Sequence, residues 1–151
     1  MVKDLQIKAV TSKDLDEILR LLQLQFEEHQ INIAEPDLKG GVAEVLKDKR
    51  LGVILAAHQG EVVVGFAVLA LTWTLEHGGK SAWLDELYVL PHLRDRGIGR
   101  ALIEAAISEA IKLDCAAIDL EVDEDHSRAE RLYKDYGFVR LPRSRWVKRF
   151  Y

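Results

Sequence analysis

Apolar residues along this chain follow two spacings, one of which predicts helices and the other strands. Intervals of three and four residues predict four helices. The first is capped by Thr11 with Asp14, the second begins at Pro36, and the others span residues 96–113 and 127–136. Apolar runs bounded by turn residues predict strands at residues 6–10, 51–57, 61–72, 81–90, 116–122, 138–141 and 146–150. The predicted order is β-α-α-β-β-β-α-β-α-β-β, and residues 1–151 are expected to form one domain.

Residues 84–102 are predicted to form a strand, a tight loop and the first turn of a helix. Gly97 and Gly99 allow the main chain to approach a ligand closely. Three basic side chains lie beside them in the sequence: Arg94, Arg96 and Arg100. Because the first amides of a helix have no intrahelical acceptor and lie at the positive end of its dipole, this segment predicts a diphosphate site.

Two other phosphate-binding loops fit this segment poorly. The chain contains no G-x-x-x-x-G-K-[ST] sequence, so a P-loop is not expected. A dinucleotide-binding fingerprint has a third glycine where this chain has Leu102.

The pattern Arg94-x-x-Gly97-x-Gly99 resembles the [Q/R]-x-x-G-x-[G/A] signature of the GNAT superfamily, the acyl-CoA-dependent N-acyltransferases. Three further segments match that family in order and spacing: Thr11-x-x-Asp14, Leu87-Tyr88-Val89-x-Pro91, and Ala129-x-x-Leu132-Tyr133-x-x-x-Gly137-Phe138. The resemblance spans nearly the whole chain. It implies an α/β (α+β) fold with a mixed, mostly antiparallel sheet of about seven strands flanked by four helices. The strands that end at Leu90 and Val122 are expected to splay, so that a pantetheine arm enters between them.

The resemblance also implies that acetyl-CoA is the cosubstrate. The residues expected to bind it are Leu87, Tyr88, Val89, Arg94, Asp95, Arg96, Gly97, Ile98, Gly99, Arg100 and His126. Among these, the amides of Leu87 and Val89 are expected to bond the acyl oxygen and the pantetheine. His126 departs from the pattern, because many family members have Asn at this position.

Acyl transfer to an amine requires a group that removes a proton from the amine and a group that protonates the leaving thiolate. Asp85 and Glu86 are candidates for the base; strand alternation places them on opposite faces unless a bulge intervenes, and Glu86 is favoured. The alternative is that one of them pairs with a nearby arginine. The resemblance makes Tyr133 the candidate acid, although its spacing also fits a buried helix face.

The acceptor amine is suggested by a weaker likeness to the diamine and thialysine acetyltransferase branch. Phe26, Glu28 and Trp73 are the predicted substrate contacts, and the acceptor is expected to be a small cationic amine such as a polyamine or a basic amino-acid analogue. Acidic residues in the first forty positions favour such a substrate, or else form a solvated helix face.

The composition is that of an ordinary globular protein, with 48% hydrophobic and 30% charged residues. A net charge of −4 argues against nucleic-acid binding, and no apolar run approaches the roughly 20 residues of a membrane span. Cys115 is the single cysteine, so no internal disulfide is expected; a cytoplasmic location and no metal are predicted. The family resemblance suggests a homodimer, with Trp146 and Phe150 in a plausible interface. Alternatives are an acyl-CoA sensor without turnover, a peptide or protein N-acetyltransferase, and a supporting subunit of a larger complex.

Overall fold

A five-stranded sheet organises the first of the two units into which the chain divides, Met1–Glu121 and Val122–Tyr151. The computed structural model describes residues 2–151. The strands are β1 (Leu5–Ala9), β2 (Gly52–Gln59), β3 (Val62–Thr74), β4 (Gly79–Val89) and β5 (Ala117–Leu120). They lie in sequence order and are antiparallel, except that β4 and β5 run parallel. The predicted α/β fold with a mixed, mostly antiparallel sheet is confirmed.

Three helices of this unit pack on the sheet: α1 (Leu15–Glu28), α2 (Glu35–Lys47) and α3 (Ile98–Lys112). The first two bury apolar side chains such as Ile18 and Val42 in one core with Phe66 of β3. Gly65 immediately precedes Phe66 in β3, so alternation places it on the opposite face of the sheet, against Leu102 of α3. A Cβ at Gly65 would lie 2.7 Å from the carbonyl oxygen of Tyr88, so glycine is what permits this close approach of β3 to β4.

Strand β4 contains a bulge that interrupts its alternation. Leu84 pairs with Leu69 and Glu86 pairs with Val68, so Asp85 is the inserted residue of the bulge. On the other side of β4, β5 pairs only with residues 81–84. The last five residues of β4 therefore extend beyond β5 and leave one side of the strand open.

The second unit contains α4 (Ser127–Asp135), whose N-cap residue is His126. No side-chain hydrogen bond caps this helix, and Glu130 pairs with Lys134 at 2.9 Å. The helix ends at Asp135 and is terminated by Gly137, which has a φ of 83°, while the Phe138 amide donates to the Tyr133 carbonyl at 3.1 Å.

The described residues form five strands rather than the predicted seven. Residues 138–141 and 146–150, which were expected to be strands, have no strand structure. An alternating sequence forms a stable strand when one of its faces is buried. Here the large apolar side chains are exposed: Val139, Leu141, Trp146, Val147 and Phe150. That residues 1–151 form one domain stays a prediction.

Candidate active site

The turn before α3 has the backbone that an anion site requires. Asp95 and Gly97 have left-handed conformations, with φ of 65° and 86°. For that reason α3 begins at Ile98, two residues later than the sequence predicts. The first helical hydrogen bond runs from the Ala101 amide to the Gly97 carbonyl at 3.0 Å. The amides of residues 98–100 come before Ala101 in the helix, so no carbonyl of the helix accepts a hydrogen bond from them.

The space above this turn is open. Residues 94–97 and Arg100 are exposed, whereas the Ile98 side chain is 1% exposed and anchors the turn in the core. A Cβ built on Gly97 or Gly99 would meet nothing within 4 Å. The turn therefore has the amides, the room and the basic residues that fit the diphosphate of CoA.

The open side of β4 presents main-chain donors next to this turn. The Leu90 amide donates to the Val64 carbonyl at 3.0 Å, towards β3. Because amides alternate along a strand, those of Leu87 and Val89 point the other way, beyond the end of β5. The side chain of Tyr88 is only 5% exposed and packs against Phe66, with 5.8 Å between ring centroids.

Arg94 connects the turn to α1 and β4. Its Nε donates to the Val89 carbonyl at 2.9 Å, and its two terminal nitrogens each donate to one oxygen of Glu28 at 2.8 Å. The guanidinium also lies over the Tyr88 ring, 5.4 Å from the centroid. The hydrogen bonds to Glu28 raise the pKa of Arg94 further. Glu28, a predicted substrate contact, thus forms an ion pair with a residue of the predicted cofactor loop.

An apolar cleft of about 430 Å³ lies between α1, α2 and the sheet. Its wall includes the predicted residues Phe26, Asp85 and Glu86 together with Asp37 of α2. The remaining lining side chains are apolar: Leu22, Ile31, Ile33, Leu38, Val42, Val45, Ile54 and Val68. Within the described residues the lining includes no lysine or arginine, so three carboxyl groups set its charge. The bulge allows Asp85 and Glu86 to line one cleft, which regular alternation would prevent.

Glu86 has an environment that favours its neutral form. Burial raises the pKa of its carboxyl from 4.5 to about 7; the charge of Asp85 adds to the rise, and a hydrogen bond from Gln25 opposes it. Nε2 of Gln25 donates to Oε2 of Glu86 at 2.8 Å. A carboxyl with a pKa near neutrality in a cleft is suited to accept and release protons.

Gln25 was not predicted from the sequence, and Asp37 was included only as one of the acidic residues in the first forty positions. Gln25 stands three residues after Leu22 and four after Leu21, so it is a polar residue within the apolar stripe of α1, and its side chain is buried. This polar residue within an apolar stripe is the sequence signal that could have identified Gln25. Asp37 carries no such signal, because acidic residues are common in the first turn of a helix.

Trp73 is not brought to this cleft. Its side chain is 70% exposed and lines a separate depression of about 360 Å³, which also contains Lys49, Arg50 and Lys80. Its predicted contact with the amine has no support from this placement.

The two remaining predicted residues, Tyr133 and His126, lie in the second unit. Tyr133 is partly buried and forms an edge-to-face contact with Phe138, with 5.7 Å between ring centroids. Burial raises the pKa of its phenol above the usual 10. His126 is exposed at the start of α4.

No group of three or more potential metal ligands occurs among residues 2–151. Nor does any helix in that range have the length and apolar character needed to cross a membrane.

Comparison with known proteins agrees with this geometry. Residues 15–138 match the model of the Acetyltransferase (GNAT) family. The mouse thialysine N-epsilon-acetyltransferase is 27% identical over 92% of this chain and 86% of its own length. A probable spermine N(1)-acetyltransferase of Bacillus subtilis subsp. natto is 27% identical over 89% of this chain and 87% of its own.

Solved structures share the fold. An aminoglycoside N-acetyltransferase in complex with CoA has a TM-score of 0.82 at 17% identity, covering 97% of this chain and 95% of its own. A predicted acetyltransferase from Clostridium acetobutylicum with acetyl-CoA has a TM-score of 0.80 at 17% identity, covering 95% and 96%. The chain belongs to the GNAT family of acetyltransferases. It is an N-acetyltransferase, and acetyl-CoA is its cosubstrate.

Proposed function

We propose that this enzyme transfers an acetyl group from acetyl-CoA to a primary amine of a small cationic substrate, such as a polyamine or a basic amino-acid analogue, by direct attack in a ternary complex. The observation that carries the proposal is the apolar cleft with carboxyl groups at Asp37, Asp85 and Glu86. An alkyl ammonium combines an apolar stem with a positive end, and this lining complements both parts. The names of the mouse and Bacillus relatives support the same class of substrate.

Glu86 is the general base in this proposal. A free alkylammonium has a pKa of about 10.4, so at neutral pH it must lose a proton before its nitrogen can attack. The Glu86 carboxyl, with a pKa of about 7, is a stronger base than an exposed carboxylate and still ionises at neutral pH. Asp85, beside it on the bulge, supplies a second carboxyl group in the cleft to attract the substrate ammonium.

The main chain of β4 and α3 binds the cosubstrate. Bound acetyl-CoA supplies the acetyl thioester. The amides of Leu87 and Val89 donate to its acyl oxygen and pantetheine, while the amides of residues 97–100 and the side chains of Arg96 and Arg100 hold its diphosphate. Preorganised amides of this kind contribute about 3 kcal/mol in other acyl transfers.

Tyr133 is the proposed acid that protonates the leaving thiolate. Its raised pKa keeps the phenol protonated at neutral pH until a strong base develops beside it. His126 is proposed to contact the pantetheine arm in place of the more common Asn, through a ring that can donate and accept. Phe26 is proposed to contact the stem of the amine from the cleft wall.

The proposed assembly is a homodimer in the cytoplasm. Trp146 and Phe150 are 91% and 90% exposed, and two large apolar side chains of this kind are typical of an interface. The single cysteine agrees with a reducing compartment. Light scattering of the wild type and of Trp146→Ser tests the dimer: the wild type should have twice the chain mass, and the variant should shift towards one chain mass.

Acetyl-CoA turnover across a panel of amines, followed by thiol release, tests the substrate class. Spermine, spermidine, thialysine and lysine should be acetylated, and peptides with free N-termini should not. Asp37→Asn should raise KM for diamines several-fold more than for monoamines, because it removes one of the carboxylates available to a second ammonium. A preference for peptide N-termini would contradict the proposed substrate, and CoA binding without turnover on any amine would favour a sensor.

A further inference from the structure

Gln25 is a polar residue at a core position of α1. Its side chain is 4% exposed, and its Nε2 donates to Oε2 of Glu86 at 2.8 Å. Its Oε1 is buried and has no hydrogen-bond partner among the described residues. A buried oxygen without a donor costs stability, and an apolar side chain of similar size would avoid that cost. The position of the orphaned oxygen, on the same amide that binds Glu86, suggests what it does.

A carboxyl group changes its hydrogen-bonding character when it takes up a proton. As a carboxylate it only accepts, and as an acid it also has one O–H donor. A side-chain amide has a donor end and an acceptor end, and a half-turn about its last bond exchanges them. A single glutamine can therefore complement both states of a neighbouring glutamate.

We propose that Gln25 is a positioning residue that serves both protonation states of Glu86: Nε2 donates to the carboxylate, and Oε1 accepts the O–H of the acid after the amide rotates. This inference rests on the proposed role of Glu86 as the base. In that step the substrate ammonium loses one proton and becomes a neutral amine, while the Glu86 carboxylate gains that proton and becomes the neutral acid. No electrons are exchanged, and no further reactant is needed.

The rotation keeps the carboxyl group of Glu86 in one place throughout the proton transfer. Without it, a newly formed O–H directed at Gln25 would face the N–H of a donor, and the carboxyl group would have to turn away. A base that stays in place is ready to act on the next substrate, because proton transfer requires hydrogen-bond distance.

The cleft contains two further carboxyl groups, that of Asp85 on β4, whose charge raises the pKa of Glu86, and that of Asp37 on α2. The neighbouring side chains from α1, β2 and β3 are neutral: Leu22, Gln25, Phe26, Ile54 and Val68. A change at Gln25 leaves both carboxylates in place, so its effect can be separated from theirs.

The first test is a carboxyl titration that needs no substrate. Carbon-13 NMR of labelled glutamate side chains would follow Glu86, identified by the signal that Glu86→Gln lacks. Gln25→Met removes both ends of the amide at similar volume, and Gln23→Met makes the same change at a half-buried position of the same helix. Because a hydrogen bond to the carboxylate is charge-assisted and about twice as strong as one from the neutral acid, Gln25→Met should raise the midpoint by up to about 1 pH unit, at most a tenfold change in proton affinity. Gln23→Met should leave the midpoint unchanged.

The second test follows Gln25 itself in the wild type. Nitrogen-15 NMR of the side-chain amide, assigned by its loss in Gln25→Met, should show both N–H signals moving with the same midpoint as the Glu86 carboxyl. Amide signals that stay fixed through that titration would overturn the proposal, as would an unchanged Glu86 midpoint in a folded Gln25→Met. The wild-type measurement decides the question even if the variant does not fold.

Activity measurements then separate this inference from the proposed function. In Gln25→Met the acid limb of kcat/KM should move upward by the same amount as the carboxyl midpoint, whereas a purely structural loss would lower the rate equally at every pH. If the NMR results are as expected but no amine is acetylated, the proposed function fails and the pairing of Gln25 with Glu86 stands.

Discussion

The guanidinium of Arg94 holds both carboxylate oxygens of Glu28 at 2.8 Å, and this pair ties the end of β4 to the end of α1. The third donor of the same side chain binds the Val89 carbonyl. Arg94 therefore fixes the position at which the strand becomes the cofactor loop, and its charge is already partly balanced by Glu28. In the proposed complex the phosphates would therefore contact the main chain, Arg96 and Arg100.

A double-mutant cycle measures this connection. Arg94→Gln and Glu28→Gln, alone and together, should give a coupling in the free energy of unfolding of about 0.2–1 kcal/mol, because exposed ion pairs are well screened by solvent. The two side chains are 38% and 39% exposed, which places the pair in that class. Urea denaturation at low and high salt gives the value, and the coupling should shrink at high salt. Strictly additive effects would show that the pair contributes nothing to the stability of the loop.

Gly97 and Gly99 differ in what an added methyl group would do. Gly97 has a φ of 86°, so Gly97→Ala should lower the free energy of unfolding by about 1–2 kcal/mol through backbone strain and should weaken CoA binding. Gly99 lies in the first turn of α3 in open space, so Gly99→Ala should raise stability by up to about 1 kcal/mol.

Thermal unfolding and calorimetric titration with CoA compare these two variants under the same conditions. Gly99→Ala should keep CoA affinity within a few-fold of the wild type, since the family signature admits alanine at this position. Equal losses of affinity in both variants would mean that space above the turn matters more than the left-handed backbone of Gly97.

The sequence was sufficient to predict those elements whose signal lies in residues close together along the chain. The Gly97 turn, the amphipathic stripe of α1 and the Thr11–Asp14 cap all depend on residues close in the chain, and each is present in the structure. The two strands expected at the C-terminus were predicted from short apolar runs of the kind that also mark the strands that form. Such a run failed as a predictor because it says nothing about whether a sheet face is available to bury it.

The candidate site was harder to predict, because it depends on register. Whether Asp85 and Glu86 share a face is decided by the bulge between β3 and β4, whose paired residues Leu69–Leu84 and Val68–Glu86 are 15 and 18 positions apart along the chain. The partner of Glu28 and the hydrogen bond from Gln25 to Glu86 join residues separated by 66 and 61 positions. Such contacts follow from the packing of α1 on the sheet and not from any motif.

The raised pKa of Glu86 has a consequence for stability. Burial of the carboxyl makes its neutral form the favoured one in the folded state, with a pKa of about 7 instead of 4.5. The stability that the folded state gains from the neutral Glu86 carboxyl is therefore fully present below the ordinary pKa of 4.5. It is lost as the pH rises through about 7. Glu86→Gln has a neutral side chain at every pH, so it does not incur that loss.

Urea denaturation across this range gives the free energies. Relative to the wild type, the free energy of unfolding of Glu86→Gln should rise between about pH 4 and about pH 8 by about 1–2 kcal/mol, a value reduced by solvent screening at the cleft mouth. Asp85→Asn is the matched control, because it removes a more exposed carboxylate of the same cleft and should lower the Glu86 midpoint. A difference between Glu86→Gln and wild type that is independent of pH would contradict the raised pKa.

Tyr133→Phe separates a catalytic role from a packing role. The substitution keeps the aromatic ring and its contact with Phe138 but removes the hydroxyl group, so the fold and the affinity for CoA should be unchanged. If the phenol protonates the thiolate, kcat should fall by about 100-fold or more. Steady-state kinetics with a fixed amine, together with calorimetry of CoA binding, distinguish the roles: a parallel loss of affinity and rate would make Tyr133 a packing residue, and an unchanged rate would assign the proton to another group.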